Sequence, residues 1–565
     1  MQKKEDIITD IIIPRNLAVF LSLLLIFGLF VIALRYGGVL REDQLLFSGA
    51  IFLIFGVSLP FIPLYIFEDK FVFLILLFIF FSFFSLRKTP DVRSGLLDIV
   101  LILDFLFLYI IAKSLSAERK IRELLNMGIA ISAVILVLFF LYLSKPLPMK
   151  GNFANPSHFS IFLSSCVPLL FLSRNSGKSI LPWILSFVLL TGVFLSGAWG
   201  GITSLFISLI IYIFINRSRL MKKRWAYSIL FILFLMALSL FSVYRGIGSS
   251  FSLKGLISSI SSRLEMWWYG IKCSFKYFPS GSGIGSFRWV FPSCYKGDMK
   301  GEFPALHNEF LECLFTTGLF SFILILIGVF FLFKDYISFS SSRKVFSGTR
   351  TGAFFALLTI MVHSLFDFPV HLPLLLFLSA VFLGVYRGEK VVAGGNSWKK
   401  KVFLLIPFLI LFITFLFAWR DYRKIHNLKN AGKRIEMNLL SSPFIESSGM
   451  EELGELYYRL YKETENEALL YVSFLFFERC VELNRWNYRC LYNLGVVSIE
   501  VGDMESAKDY LKSSISINPL NPMAKFLYGL ILLEEGNEEG RSSILEAIRI
   551  APELSKTAEK LLERK

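Results

Sequence analysis

Long, nearly uninterrupted apolar runs separated by short polar segments dominate the first 420 residues. They lie near 17–34, 45–67, 71–86, 97–113, 127–143, 159–173, 179–197, 200–216, 226–243, 308–333, 352–365, 372–386 and 402–418. A helix rises about 1.5 Å per residue, so about 20 apolar residues cross a hydrocarbon layer of about 30 Å. The runs predict an all-α, polytopic membrane bundle of about 12–13 transmembrane helices, the shorter ones tilted, broken or paired. One long interval, 244–306, separates the ninth run from the tenth. Within it, Arg263 to Phe278 mixes basic and aromatic residues at helical spacing. That pattern predicts a helix lying at the membrane surface, with Trp267, Trp268 and Phe275 towards lipid and Lys272 and Lys276 snorkelling.

Past Trp419 the apolar positions become spaced, and a repeat emerges. Asn484 and Asn518, Gly495 and Gly529, and Gly502 and Gly536 each recur after 34 residues. This period is the tetratricopeptide signature, one helix pair per repeat. Tyr492-Asn493-Leu494-Gly495 and Leu527-Tyr528-Gly529-Leu530 are expected to start first helices, Gly502-Asp503 and Gly536-Asn537 to make turns, and Ile517-Asn518-Pro519 to end a second helix. Because a repeat cannot cover its own apolar face, 445–485 should supply a degenerate first repeat and 553–565 a cap. The chain thus divides into a transmembrane domain, 1–420, and a soluble repeat domain, 421–565.

Composition agrees, at 55% hydrophobic and 16% aromatic residues. The net charge of +16 would suggest nucleic acid were it evenly spread, but residues 420–565 hold 20 Lys and Arg against 23 Asp and Glu. The basic excess belongs to the short loops between apolar runs. It reads as positive-inside topology, with no nucleic-acid partner. With the N-terminus inside, 216–225, 334–350 and 387–401 face the cytoplasm, and the 244–306 loop and the repeat domain lie outside. No small-residue cleavage site follows the Met1–Arg15 stretch, so the first span is expected to be retained.

The six cysteines form no C-x-x-C pair and have no histidine at zinc-ligand spacing, so no metal site is expected. Cys273 and Cys294 share the outer loop, where a disulfide and two free thiols are both open readings. Asp98 and Asp104 in the fourth run read as a buried pair or a protonated acid in preference to a proton relay, for no His or Lys continues a chain. The glycines of Gly281-Ser282-Gly283-Ile284-Gly285 lack the strand and spacing of a dinucleotide loop, but allow a tight path whose amides can meet an anion. Of five histidines, His158, His307, His363 and His371 fall at the outer ends of spans and His426 opens the soluble domain. His307 is placed in the first turn of the tenth span, where it is either an idle surface residue or an imidazole able to take a proton near neutral pH.

His307-Asn308, followed after nine residues by Gly318, resembles the signature of the O-antigen ligase and O-antigen polymerase family of lipid-linked glycan transferases. Three further segments resemble that family in order and separation, over roughly 15–420: Gly151-Asn152-Phe153-Ala154-Asn155-Pro156-Ser157-His158-Phe159; Arg263 and Trp267 followed by Pro279, Gly281, Gly283, Gly285 and Phe287; and His363-Ser364-Leu365-Phe366-Asp367-Phe368-Pro369-Val370-His371. Two positions depart from the pattern. Ser196-Gly197-Ala198-Trp199 lacks a basic residue often found there, and Ser321 replaces the usual Gly, Thr or Tyr.

The resemblance implies a GT-C-like bundle at the cytoplasmic (inner) membrane that moves a glycan from a polyprenyl-diphosphate donor to a lipid, glycan or protein hydroxyl at the outer face. In-line attack would invert the anomeric centre, and because no acidic pair of the kind that holds a divalent ion stands out in the loops, a reaction without metal or cofactor is expected. Arg263 and Arg288 would meet the diphosphate, and His307 would orient or deprotonate the acceptor, with Asn308 or Glu309 fixing its position. Asn155, His158, His363, Asp367 and His371 would line the cavity for either substrate, hydrogen-bonded helix ends being the other open reading for each. The repeat domain would recruit the acceptor or a partner protein. A lipid-linked-glycan flippase would need midplane polar groups and internal symmetry, and an inert membrane-anchored scaffold gives no reason for polar residues to gather at the outer ends of spans.

Overall fold

In a computed structural model, residues 13–62, 64–143, 149–153, 155–172, 180–220, 253–297, 303–341, 348–388, 405–431 and 435–562 are described. The expected span near 226–243, the stretches 1–12, 221–225, 342–347 and 389–401, and the chain end 563–565 lie outside them. Among the described residues every regular element is helical.

The membrane part comprises α1 Arg15–Leu34, α2 Arg41–Ser58, α3 Lys70–Ser85, α4 Val92–Leu115, α5 Arg119–Tyr142, α6 Pro156–Phe171, α7 Leu181–Leu195, α8 Trp199–Leu220, α9 Leu253–Lys276, α10 Phe287–Cys294, α11 Glu309–Thr316, α12 Gly318–Ser341, α13 Gly348–His363, α14 Pro373–Arg387 and α15 Leu405–Ala431. Eight of these (α1 to α5, α8, α12 and α15) are long and apolar enough to cross a membrane, and α6, α7 and α14 are shorter apolar helices. The short helices α6, α13 and α14 are buried almost all round at the centre, where protein replaces lipid as their apolar surroundings. The exposed Phe73, Phe80, Phe330, Ile410 and Phe417 belong to outer helices α3, α12 and α15. The continuous run 308–333 breaks into α11 and α12 at Gly318, whose φ of +88° no helix continues.

The loops gather at two ends. At one, buried Asp69 binds Lys113 and, at 3.1 Å, Arg387, while Asp335 binds Arg387 and, at 2.7 Å, Lys70. At the other, Asn152 Nδ2 donates to the Leu34 carbonyl (3.0 Å) and Thr89 Oγ1 to the Ile284 carbonyl (3.0 Å). Asp98 and Asp104 do not pair, because residues six apart on a helix point about 120° apart. Asp98 faces Arg41 at 3.9 Å and Asp104 accepts from Ser48.

Beyond α15, three helix pairs and a terminal helix follow: α16 Ser447–Thr464 with α17 Glu467–Leu483, α18 Tyr488–Val501 with α19 Met504–Ile517, α20 Pro522–Glu534 with α21 Glu539–Ile550, then α22 Ser555–Leu562. Asn487 and Asn521, 34 positions apart, cap α18 and α20 through their side-chain oxygens. The helices therefore start at Tyr488 and Pro522, and the Tyr492–Gly495 and Leu527–Leu530 motifs lie inside them. Left-handed Gly502 and Gly536 make the turns within pairs. This unit docks on the end of the bundle that carries Thr89 and Ile284. Arg93 Nη1 donates to the carbonyls of Ser442 and Ile445 (2.9 and 2.6 Å), Asp91 accepts from the Ser447 amide (2.9 Å), and Arg41 meets Glu446 at 3.0 Å.

Candidate functional site

The backbone around His307 is fixed by its neighbours. Asn308 caps α11 by accepting from the Leu311 amide (3.0 Å), and its Nδ2 donates to the Leu365 carbonyl (2.9 Å). The Glu309 amide donates to the Ser364 carbonyl (3.0 Å). His307 therefore stands before the helix and not in its first turn, because the better cap one residue later takes the helix start. Its φ of +53° is a left-handed conformation that costs a non-glycine residue about 1–2 kcal/mol.

Asp367, in the loop joining α13 to α14, collects the polar groups of three segments. Its Oδ1 lies 3.2 Å from His307 Nδ1, and its Oδ2 lies 3.3 Å from His363 Nε2 and accepts from Ser157 Oγ at 2.9 Å. The Phe368 amide also donates to it (3.0 Å). Burial opposes its charge, but the hydrogen bonds from His307 and His363 prevail and hold the carboxyl well below the usual range. His363 is completed by Ser204 Oγ at 3.2 Å from Nδ1, and Gly200 lets α8 pass its ring, for a Cβ there would stand 2.4 Å from Cε1. With Nδ1 on Asp367, His307 Nε2 is the nitrogen free to take a proton.

A second acid–histidine group lies alongside. His371 places Nδ1 3.6 Å from Glu309 and Nε2 3.1 Å from Glu312. Burial disfavours its charge, yet the two carboxylates outweigh it and push the ring up to about 10. Burial pushes the Glu309 carboxyl up to about 7 against the pull of His371. Glu309 also accepts from the Val370 amide (2.9 Å), and Glu312 from the Leu306 amide (2.7 Å). The His371 side chain keeps 44% of its surface accessible. The Phe368 ring is shared among the histidines, edge to face with His158, His307 and His371 at 5.3, 4.8 and 5.7 Å.

The remaining expected site residues are distributed unevenly. Asn155 caps α6 through the Ser157 amide (2.9 Å) and so fixes Ser157 beneath Asp367. His158 is buried, and neither ring nitrogen has a hydrogen-bond partner among the described residues. Arg263 makes no hydrogen bond or ion pair among the described residues. One turn along α9, about 6 Å away, Trp267 Nε1 donates to the Leu306 carbonyl at 3.1 Å, next to His307. Trp267 thus faces the protein and not lipid, while Trp268 and Phe275 are exposed. Arg288 is exposed over the Trp289 ring at 4.5 Å, and its charge acts on Glu451 of α16. Among the described residues no hydrogen bond, ion pair or ring contact joins Arg263 or Arg288 to the histidine cluster.

The glycine loop is spent on packing, contrary to the expectation of amides open to an anion. The amides of Ser282 and Gly283 donate to the carbonyls of Phe315 and Thr316 (2.9 and 2.8 Å), and that of Ile284 to Ser85 Oγ (3.2 Å). Gly318 seats against this loop so closely that a Cβ would stand 2.2 Å from the Pro279 carbonyl oxygen. That contact is the physical reason for a glycine ten residues after Asn308. Two cysteine pairs, Cys273–Cys294 and Cys480–Cys490, are disulfide-bonded, with Cα–Cα distances of 5.8 and 6.3 Å. Glu451 adjoins the second, but its two sulfurs are committed to each other.

Ser157, Ser204, Glu312 and Phe368 complete the arrangement; Ser157 and Phe368 lie within the family-like segments but were not singled out, and Ser204 is a hydroxyl of a common type in an apolar helix. Glu312 was not singled out in the sequence; its three-residue spacing from Glu309, which puts both on one helical face, is the signal that could have found it. Residues 184–326 match the model of the O-antigen ligase family. No curated protein matches the chain. The family match, in a chain with several helices long and apolar enough to cross a membrane, supports glycan transfer in cell-envelope polysaccharide biosynthesis.

Proposed function

We propose that the chain transfers a glycan from a polyprenyl-diphosphate donor to a hydroxyl acceptor at the outer face of the cytoplasmic membrane, with His307 as the base. The observation that carries this is His307 held in a left-handed turn with Nδ1 on buried, ionised Asp367, inside the span that matches the O-antigen ligase family. Nε2 takes the acceptor proton as the acceptor oxygen bonds to the anomeric carbon. The anomeric carbon–oxygen bond to diphosphate breaks, and in-line attack inverts the centre. The Asp367 carboxylate stabilises the imidazolium that forms. Polyprenyl diphosphate departs as an anion, and a cation beside it lowers the barrier without a metal.

Arg263 is the cation we assign to the diphosphate, since its guanidinium is uncommitted and its helix touches Leu306 through Trp267. Arg288, further along the loop, is assigned to incoming phosphate or glycan at the junction with the helix pairs. His363, His158 and His371 with Glu309 shape the acceptor side, and Asn155 and Asn308 hold the segments that carry them.

Both disulfide pairs lie at the site's end of the bundle, which supports an oxidising, extracytoplasmic location for it. We read 435–562 as a tetratricopeptide-type unit whose groove takes the acceptor or a partner protein, supported by the 34-residue echo of its asparagine caps.

The test is purified protein in lipid nanodiscs with a polyprenyl-diphosphate oligosaccharide and lipid, glycan and peptide acceptors. His307→Ala and Arg263→Ala should each abolish transfer, and a chelator should leave it intact. Full transfer by His307→Ala would remove the proposed base.

A further inference from the structure

A cavity that shares no residue with the His307 cluster opens on the flank of the bundle. It is a cleft of about 460 Å³ between the end of α1, the start of α2 and the end of α15, with Val31, Arg35, Glu42, Leu46, Arg423 and His426 among its walls. These are the ends of three helices able to cross a membrane, so the cleft lies at headgroup depth. Its apolar lip continues down α1 into exposed Phe27, one turn from Val31.

The charges inside are mixed and incompletely matched. Arg35 binds Asp43 at 2.8 Å and Glu42 Oε1 at 3.2 Å, which sets one guanidinium against two carboxylates. Glu42 is 93% buried, and its Oε2 has no hydrogen-bond partner. Opposite, Arg423 lies over the Trp419 ring at 4.9 Å and makes no hydrogen bond or ion pair among the described residues. His426 stands 3.9 Å from Glu42 Oε1. The cleft therefore offers an acceptor lacking a donor on its floor and a cation lacking an anion on its wall.

We propose that this cleft seats the headgroup of a phospholipid bearing a primary ammonium beside its phosphate. The ammonium donates to Glu42, whose last torsion rotates readily to meet it. The phosphate takes the Arg423 fork and the His426 ring. The acyl chains follow Val31, Leu46 and Phe27 into the bilayer. A purely anionic headgroup would face Glu42 and Asp43 with nothing to give them. A quaternary ammonium has no N–H for the orphan oxygen and meets a single aromatic face already covered by Arg423.

Native mass spectrometry of the full-length protein, titrated with phosphatidylethanolamine, phosphatidylcholine and phosphatidylglycerol of the same acyl chains, tests this. Wild type should hold phosphatidylethanolamine about tenfold more tightly than either other lipid, as one charge-assisted hydrogen bond implies. Glu42→Gln should erase that preference. Arg423→Ala, at an exposed position outside the packed core, should weaken phosphatidylethanolamine by about tenfold with the fold intact. Equal retention of the three lipids, a preference for phosphatidylglycerol, or a preference that survives Glu42→Gln would each overturn the assignment. Should Glu42→Gln fail to fold, unchanged affinity in Arg423→Ala overturns it alone.

Discussion

Replacing Asp367 by asparagine separates an orienting carboxylate from a merely structural one. The side chain is 6% exposed and meets His307, His363, Ser157 Oγ and the Phe368 amide within 3.3 Å. Asparagine keeps the volume and one acceptor oxygen but loses the charge, and its amide group must donate towards one of the two imidazoles. At His307 that drives the proton from Nδ1 to Nε2, the atom required to be empty. General-base catalysis is worth about 10²–10⁴-fold, and the loss of an orienting aspartate in a catalytic triad reaches about 10⁴-fold. The expected fall in kcat is therefore about 10²–10⁴-fold, or about 3–5 kcal/mol of barrier.

The donor KM should change little, because Asp367 faces the histidines, and stability should fall by only about 1–3 kcal/mol as charged hydrogen bonds become neutral ones. The assay follows release of polyprenyl diphosphate against donor concentration, alongside thermal unfolding of the same samples. A kcat within about threefold of wild type in a protein for which His307→Ala is inactive would show that His307 works without Asp367, and the proposed pairing would be wrong.

Gly318→Ala should cost about 2–4 kcal/mol or prevent folding, since a Cβ meets the Pro279 carbonyl at 2.2 Å and φ is +88°; an unchanged Tm would refute that packing account. Burial lifts Glu309 from 4.5 to about 7, so between those values the folded chain keeps a proton that the unfolded chain releases. Its contribution to stability is thus present at low pH and lost as pH rises through about 7, and Glu309→Gln should flatten that part of the Tm–pH curve, with an unaltered slope counting against it. His371 behaves in the same sense over a higher window, its contribution fully present below 6.5 and lost as pH climbs through about 10. A membrane-impermeant maleimide applied to cells with a permeabilised envelope should label Cys273, Cys294, Cys480 and Cys490 only after a mild reductant, and protection of all four even then would reverse the orientation.

The all-helical bundle was legible because apolar runs of near-span length leave few alternatives, and the 34-residue period exposed the helix pairs. Local structure that depends on a distant segment was not legible. Nothing in the run 308–333 marks a break at Gly318; the break exists because Pro279 to Gly281 presses on it. The interfacial reading of α9 placed Trp267 towards lipid because an amphipathic pattern does not say which neighbour supplies the apolar side, and here Leu306 does. The site was half legible. Four histidines at span ends marked the region, and the family-like motifs supplied Asp367, but the sequence cannot say that one carboxylate serves two of those histidines. Cys480 and Cys490 sit near the end of α17 and the start of α18, so their pairing follows from the hairpin between those helices and escapes a search for C-x-x-C.

To act as the proposed base, His307 needs its surroundings held to about 0.5 Å, and the bundle supplies that stiffness from its far end. The loop carrying Asp367 joins α13 to α14, and the last residue of α14, Arg387, is bound to Asp69 and Asp335. Asp69 also holds Lys113 of α4, and Asp335 holds Lys70 of α3. Sliding α14 would break a buried ion pair, at about 3–5 kcal/mol, and would drag Asp367 past Ser157 and His307. The same displacement would pull Ser364 and Leu365 from Glu309 and Asn308. Charges placed a helix length from the proposed site thus hold the helix whose preceding loop carries Asp367, the carboxylate paired with His307.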